Sequence, residues 1–311
     1  MDNDVEGTMT KQELTGMVAE ILSQMHQGQP MVKGSDYKTL VLEPEQKDCG
    51  YHDGDFVPDV TGLDLRQLYL TENAADAEKF KRMKLKTPAR LGSGKAGPRY
   101  KTLTMLRFRA DHAAAQDAVF SEMDADFAKR HDLLPVKTRC ETKDEYLTRP
   151  DLGRCFDEHN AKTIKGVIDT PPQVQIVVGD GLSSAAIEAN AADCMAAIRD
   201  GLKLRGIETG KGIFVKYCRV GAGDAIGDIT GCEVVCVLVG ERPGLVTDKS
   251  MSVYITYKPH TGVSESSRTV VSNIHAQGTP AVEAGAYVAE LIEKILKKKV
   301  SGVGLHLGDG A

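Results

Sequence analysis

Val174-Gln175-Ile176-Val177-Val178 is a nearly unbroken apolar run, fenced by Pro171-Pro172 on one side and Gly179-Asp180-Gly181 on the other. A strand this apolar has both faces covered, which in a sheet requires helices on both sides. An Ala-rich helix is expected next, over residues 183–204, followed by strands at 213–220, 233–239, 252–257 and 269–274 with short connections. Thr279-Pro280 opens a last helix through residue 298, proline being suited to a first turn. This alternation predicts an α/β fold with a doubly wound, mostly parallel sheet over residues 166–311.

The preceding chain reads differently. Residues 61–165 look mostly helical, with breaks at Thr87-Pro88 and Gly97-Pro98, because the residue before a proline is pushed out of the helical region. A helix over 101–120 would set Leu103, Leu106, Ala110, Ala113 and Ala114 along one side. Further short helices are expected at 124–131 and from Arg149-Pro150. Nearer the start, Thr10-Lys11-Gln12-Glu13 is a capping-box pattern. Leu14, Val18, Ile21, Leu22 and Met25 behind it form one apolar stripe, which predicts an amphipathic helix ending near residue 26. Residues 27–60 read as a polar linker with one short strand at 40–42. A chain of 311 residues accommodates this plan, with a helical domain (61–165) and an α/β domain (166–311).

Composition excludes several classes. At 41% hydrophobic and 27% charged, global disorder is ruled out. No apolar run approaches the ~18 residues of a membrane span, and no secretory signal is seen. The net charge of −5 argues against a dedicated nucleic-acid binder, and the lack of Trp leaves little for base stacking. Seven cysteines without a C-x-x-C pair fit a reduced protein rather than a disulfide framework. That charge is unevenly spread, because residues 79–109 carry only Lys and Arg among their charged residues. Such a segment suits an acidic partner protein or a phosphate better than RNA, whose recognition needs interleaved aromatics.

Few residues look chemical. Gly92-x-Gly94-x-x-Gly97 has the spacing of a dinucleotide loop, but no apolar strand precedes it and Pro98 follows, so an irregular loop is expected. Ser183 reads as a helix N-cap. Gly179–Ser183, Arg219-Val220-Gly221, Gly240-Glu241-Arg242-Pro243-Gly244 and Asn273–Gly278 follow strands, at the rim where such sheets bind ligands. Glu241 is a functional candidate there, since an unpaired buried charge would be costly. Cys232 and Cys236, read as sharing one strand face, suit apolar packing rather than a metal. No catalytic set and no metal site emerges. This fits a binding subunit, or an enzyme whose chemistry belongs to a cofactor or partner.

Several segments together resemble the small (light) subunit family of ethanolamine ammonia-lyase. They are Thr87-Pro88-Ala89-Arg90 with Ala96-Gly97-Pro98-Arg99, Phe108–Ala113, and Tyr146-Leu147-Thr148-Arg149-Pro150-Asp151-Leu152-Gly153-Arg154. They continue with Gly179–Ser183, Arg219-Val220, Gly240–Leu245, Ser272-Asn273-Ile274-His275 and Ser301-Gly302.

The resemblance implies a Rossmann-like domain that holds adenosylcobalamin at the interface with a large subunit, preceded by a helical part. In the assembly, homolysis of the cofactor's Co–C bond starts a radical rearrangement that turns ethanolamine into acetaldehyde and ammonia. The substrate sits in the large subunit. Val220, Glu241 and Val270 fall on the family's cobalamin-contacting positions. Some members carry Cys where this chain has Val270, so a contact there would be through the backbone. Asn273-x-His275-x-x-Gly278 also resembles the D-x-H-x-x-G motif of other cobalamin enzymes, with Asn in place of the carboxylate that would orient the His. His275 is therefore expected to be structural or interfacial. The helix at 10–26 resembles encapsulation peptides, which implies docking on a bacterial microcompartment shell and a place in its lumen. The alternatives are a nucleotide-dependent oxidoreductase, resting on the glycine motif alone, and a non-catalytic adaptor using the basic segment.

Overall fold

The structure is a computed structural model that describes residues 59–124 and 126–307. A single 3-10 turn at Val60–Gly62 leads to α1 (Ala77–Lys84) and to a hairpin of β1 (Lys95–Ala96) and β2 (Arg99–Tyr100). Next come α2 (Thr102–Phe120), α3 (Phe127–Arg130), β3 (Leu134–Lys137), α4 (Lys143–Thr148) and α5 (Glu158–Lys165). The remainder runs β4 (Val174–Asp180), α6 (Ser184–Leu204), β5 (Ile213–Lys216), α7 (Ala222–Thr230), β6 (Val234–Gly240), β7 (Met251–Tyr257), β8 (Arg268–Ile274), α8 (Ala281–Lys298) and α9 (Val303–Leu307).

Six strands form one sheet in the order β3-β5-β4-β6-β7-β8. The first four are mutually parallel, whereas β7 runs antiparallel to both β6 and β8. The expected mostly parallel sheet is there, with two antiparallel joins at one side. The joins follow from chain length: residues 241–250 and 258–267 hold no crossover helix, and parallel neighbours need one.

Alternation along the strands splits the core in two. Val174, Ile176, Val178, Cys236 and Leu238 pack with α6 and α8 on one face. Val177, Ile213, Val215, Val235 and Val237 pack on the other, against Ile164 of α5 and Ile226 of α7. Every residue of β4 and β6 is buried, which is why these strands read as apolar runs. At about 25 cal/mol per Å², each fully buried Val or Ile contributes roughly 1.5–3 kcal/mol. Ser183 caps α6, its Oγ accepting from the Ala186 N–H at 3.0 Å. No helix among the described residues is long and apolar enough to cross a membrane.

Several local expectations change. The stretch 61–165 also contributes β3, an edge strand paired only with β5; Pro135 is tolerable there because an edge leaves one side unpaired. A helix lies before Pro150 rather than after it, capped by Thr142 and ending at Arg149; only a 3-10 turn, Leu152–Arg154, follows. Cys232 precedes β6 and packs on the α7 face, while Cys236 packs on the α6 face, so the two thiols share no face. On α2 the buried residues are Thr104, Ala115 and Ala118, whereas Leu106, Ala113 and Ala114 face solvent. The strand expected at 213–220 stops at Lys216, because Tyr217 has φ +59° and turns the chain. The expectations for residues 10–26 and 40–42 lie outside the described residues.

Candidate functional site

The rim at the carboxyl ends of β4 and β5 is where a doubly wound sheet usually admits a nucleotide. Here the chain's own residues fill it. A Cβ on Gly179 would lie 2.6 Å from Cys218 Sγ, and one on Gly181 would lie 2.7 Å from the Cys218 carbonyl oxygen. The Tyr146 hydroxyl, on α4, donates to that carbonyl at 3.1 Å. The Arg219 guanidinium stacks 4.3 Å from the Tyr146 ring centroid and donates to the Tyr146 carbonyl. Asp180 is buried beneath this cluster. Burial raises its pKa, against the bond from Ser184 Oγ at 2.6 Å and the nearby Lys143. The segment 179–183, expected at a ligand rim, is thus a closed structural plug.

The glycine motif is no phosphate loop either. Gly92, Gly94 and Gly97 all have positive φ, at +65°, +73° and +61°. Gly97 leads the tight turn between β1 and β2, so β2 separates the third glycine from the N-terminus of α2.

Sequence candidates do converge elsewhere, on the sheet face that α7 covers. Val220 sits in the turn that starts α7 and packs on the cluster of Val235, Val237 and Val239. Glu241 continues β6 past Val239, which alternation places on the same face. Val270 lies opposite Tyr254, which in turn lies opposite Val237. Over β7 and β8 this face is open: Val270 is 45% exposed and Tyr254 is half-buried.

Glu241 ties the top of this open face together. Its Oε1 accepts from Ser252 Oγ of β7 at 2.6 Å and from the Asn273 N–H of β8 at 2.8 Å. Burial of the carboxyl disfavours its charge, but these bonds, the nearby Ser250 hydroxyl and the His275 ring outweigh it and hold the pKa below the usual glutamate value. Glu241 is therefore a carboxylate at neutral pH. Ser250, whose carbonyl accepts from the Glu241 N–H at 2.8 Å, is buried beside that carboxylate.

His275 uses both ring nitrogens internally. Nδ1 accepts from the Gln277 N–H at 3.3 Å, so Nε2 carries the proton and donates to Asn273 Oδ1 at 2.9 Å. No lone pair remains for a metal. No group of three His, Cys, Asp or Glu among the described residues could hold one either.

Sequence reasoning missed the other end of the face. The Arg268 side chain, on β8, is 3% exposed and makes a bidentate pair with Asp224 of α7, both bonds at 2.7 Å. Two residues far apart in the chain leave no pairing signal in one sequence. Much of the basic segment is also spent internally. Arg90 and Arg107 both meet Asp111, at 2.8 and 3.0 Å, and Arg107 Nη1 binds the carbonyls of Val60, Thr61 and Leu63. Lys84 is buried and donates to the Leu91 carbonyl. Beside these, α2 presents a shallow hollow lined by Phe108, Arg109, His112, Ala113, Gln116 and Leu245. Met105, Leu106, Phe120 and Val246 are exposed nearby in the sequence of α2 and of the loop after Glu241.

Fold and site define an α/β protein with a closed nucleotide crevice and an open sheet face beside an ionised carboxylate. The sequence profile of the ethanolamine ammonia-lyase light chain (EutC) matches residues 77–306. The chain is 54% identical to the ethanolamine ammonia-lyase small subunit of Clostridium perfringens over 297 residues, 96% of this chain and 100% of that protein. It is 59% identical to the small subunit of Clostridioides difficile over 80% of this chain and 85% of the relative. For Listeria monocytogenes the figures are 52%, 96% and 100%. The chain belongs to the ethanolamine ammonia-lyase light-chain family.

Proposed function

We propose that this chain is the small subunit of an adenosylcobalamin-dependent ethanolamine ammonia-lyase and holds the cofactor against a large, substrate-binding subunit. The observation that carries the reading is the identity of more than half over the whole length of a relative with that name. The open face fits a corrin in its chemistry. Val270 and Tyr254 offer an apolar floor, Val220 an apolar wall, and Glu241 an acceptor for the side-chain amides that fringe the ring. The buried Ser250 hydroxyl is a further polar group beside that acceptor.

When bound, the cofactor supplies the radical chemistry that converts ethanolamine into acetaldehyde and ammonia. The chain's own residues bind and orient. Val270 and Val220 exclude water, Glu241 accepts hydrogen bonds, and His275 braces the turn after β8 and stays off cobalt. The large subunit docks on the face of α2 that exposes Leu106 and Arg109, beside the cations of 79–109. Residues 166–311, joined by β3 and α5 from the preceding stretch, form the Rossmann-like cobalamin domain, and the rest of 61–165 the mostly helical part before it. The pattern at 10–26 directs the chain, through the linker 27–60, to a microcompartment shell and hence its lumen.

The test is co-expression with a large subunit, addition of adenosylcobalamin, and measurement of co-purification and corrin absorbance. Retained corrin is expected, with Glu241→Ala and Val270→Asp each weakening retention. A complex that assembles and holds corrin equally well with both substitutions would refute the assignment of the face. Deleting residues 1–26 is expected to delocalise a fluorescent fusion; unchanged puncta would refute shell targeting.

A further inference from the structure

We infer that Arg268 is a positioning residue that fixes the gap between α7 and β8, and so the width of the cradle between Val220 and Val270. The inference rests on the cobalamin reading of that face. Arg268 precedes Val270 by two residues, so both side chains point to the same side of β8. Its partner Asp224 lies in the first turn of α7, four residues after Val220.

All five guanidinium N–H groups are engaged. Nη1 donates to Asp224 Oδ1 at 2.7 Å and to Thr256 Oγ1 at 3.3 Å. Nη2 donates to Asp224 Oδ2 at 2.7 Å and to Glu265 Oε1 at 3.4 Å. Nε donates to Glu265 Oε2 at 2.7 Å. The pair is nearly dry, with side chains 3% and 8% exposed. β8 is the outermost strand and has only β7 as a sheet neighbour. Without the fork, no ion pair among the described residues ties that strand to α7. A planar guanidinium with two parallel bonds sets distance and angle together, which a lysine ammonium cannot. Glu241 does the corresponding work at the other end through Ser252 and Asn273. The open face is thus framed by two polar ties, neither of which needs to touch the ring's centre.

The experiment uses the assembled small–large subunit complex. Cyanocobalamin binding is measured by equilibrium dialysis and visible absorbance, beside the KM for ethanolamine and the thermal midpoint. Arg268→Lys and Asp224→Asn are expected to weaken corrin binding by about tenfold or more, as substitutions behind a binding group commonly do, and to leave the ethanolamine KM unchanged. Ile198→Val, which removes a fully buried methyl group in the core on the opposite face, serves as a control for lost stability. The double variant Arg268→Gln with Asp224→Asn removes the fork without leaving a buried charge, and gives the same readout should a single variant fail to assemble. Unaltered corrin affinity in these variants, or an equal loss in Ile198→Val, overturns the positioning role. If Glu241→Ala and Val270→Asp also leave affinity unaltered, the cobalamin reading of the face is what fails.

Discussion

Gly223 is where α7 comes closest to the sheet, and substituting it tests how the helix is seated. A Cβ there would lie 2.5 Å from Val237 Cγ2, with the Val235 methyls next at 3.5 Å. Carbon atoms prefer about 3.5–4.0 Å, so α7 would have to retreat by roughly 1 Å. Val237 cannot yield, because it is 1% exposed within a fully buried strand and β-branched. Overpacking costs about 1–3 kcal/mol. Alanine's better helix propensity returns about 1 kcal/mol. The retreat also lengthens the Asp224–Arg268 fork, whose charge-assisted bonds are each worth about 1.5–3 kcal/mol. Gly223→Ala should therefore destabilise by about 2 kcal/mol, or about 4–8 °C in Tm at this size. The assay is thermal unfolding followed by far-UV circular dichroism, repeated on a Val237→Ala background. There the clash is gone, and the same substitution should become neutral or stabilising, a reversal of sign that a double-mutant cycle reads directly. A Tm within about 1 °C of the parent on the native background, or the same loss on both, would refute the reasoning.

Other outcomes follow from the same geometry. Tyr146→Phe should cost about 1 kcal/mol for its bond to the Cys218 carbonyl, and Gly181→Ala more, because its methyl strikes the same carbonyl; urea unfolding distinguishes them. Glu241 has a folded pKa below its ordinary value, so its contribution is present above that ordinary value and lost as pH falls through the folded one. Subtracting the acid stability curve of Glu241→Gln from that of the parent should show this loss below about pH 4.5. His275→Ala should loosen the turn after β8 yet leave the electron paramagnetic spectrum of bound cob(II)alamin unaltered; protein-derived nitrogen coupling in the parent would contradict the bonding of both ring nitrogens. Leu106→Glu should impair co-purification with a large subunit while leaving the Tm of the free chain within a few degrees, since the side chain is 47% exposed.

The sheet's centre was legible because β4 and β6 are buried on both faces and so carry a continuous apolar signal. The edge β3 was not: four residues including Pro135 give no periodicity, and its pairing with β5 depends on a remote partner. The antiparallel joins were readable in principle from the short connections after β6 and β7. α2 was misread because apolar periodicity marks a face without saying whether the protein or a partner covers it. Glu241 announced itself as a charge at a strand end. Arg268 and Asp224 did not, because a buried pair becomes visible only when helix and strand are seen side by side.

The two antiparallel joins also bear on the order in which the molecule assembles. Gly240 pairs with Met251, and Tyr254 with Val270, across loops of a few turns, whereas Leu134 must find Ile213 across α4, α5, β4 and α6. Contacts between chain neighbours form before distant ones, since less loop entropy has to be surrendered first. The meander β6–β7–β8 can thus gain protection early, while the parallel edge waits for the rest of the chain. Pulse-labelled hydrogen exchange should find the amides of β7 and β8 guarded ahead of those of β3. The face with Glu241 and Val270 would then take shape first, while the opposite edge is still closing.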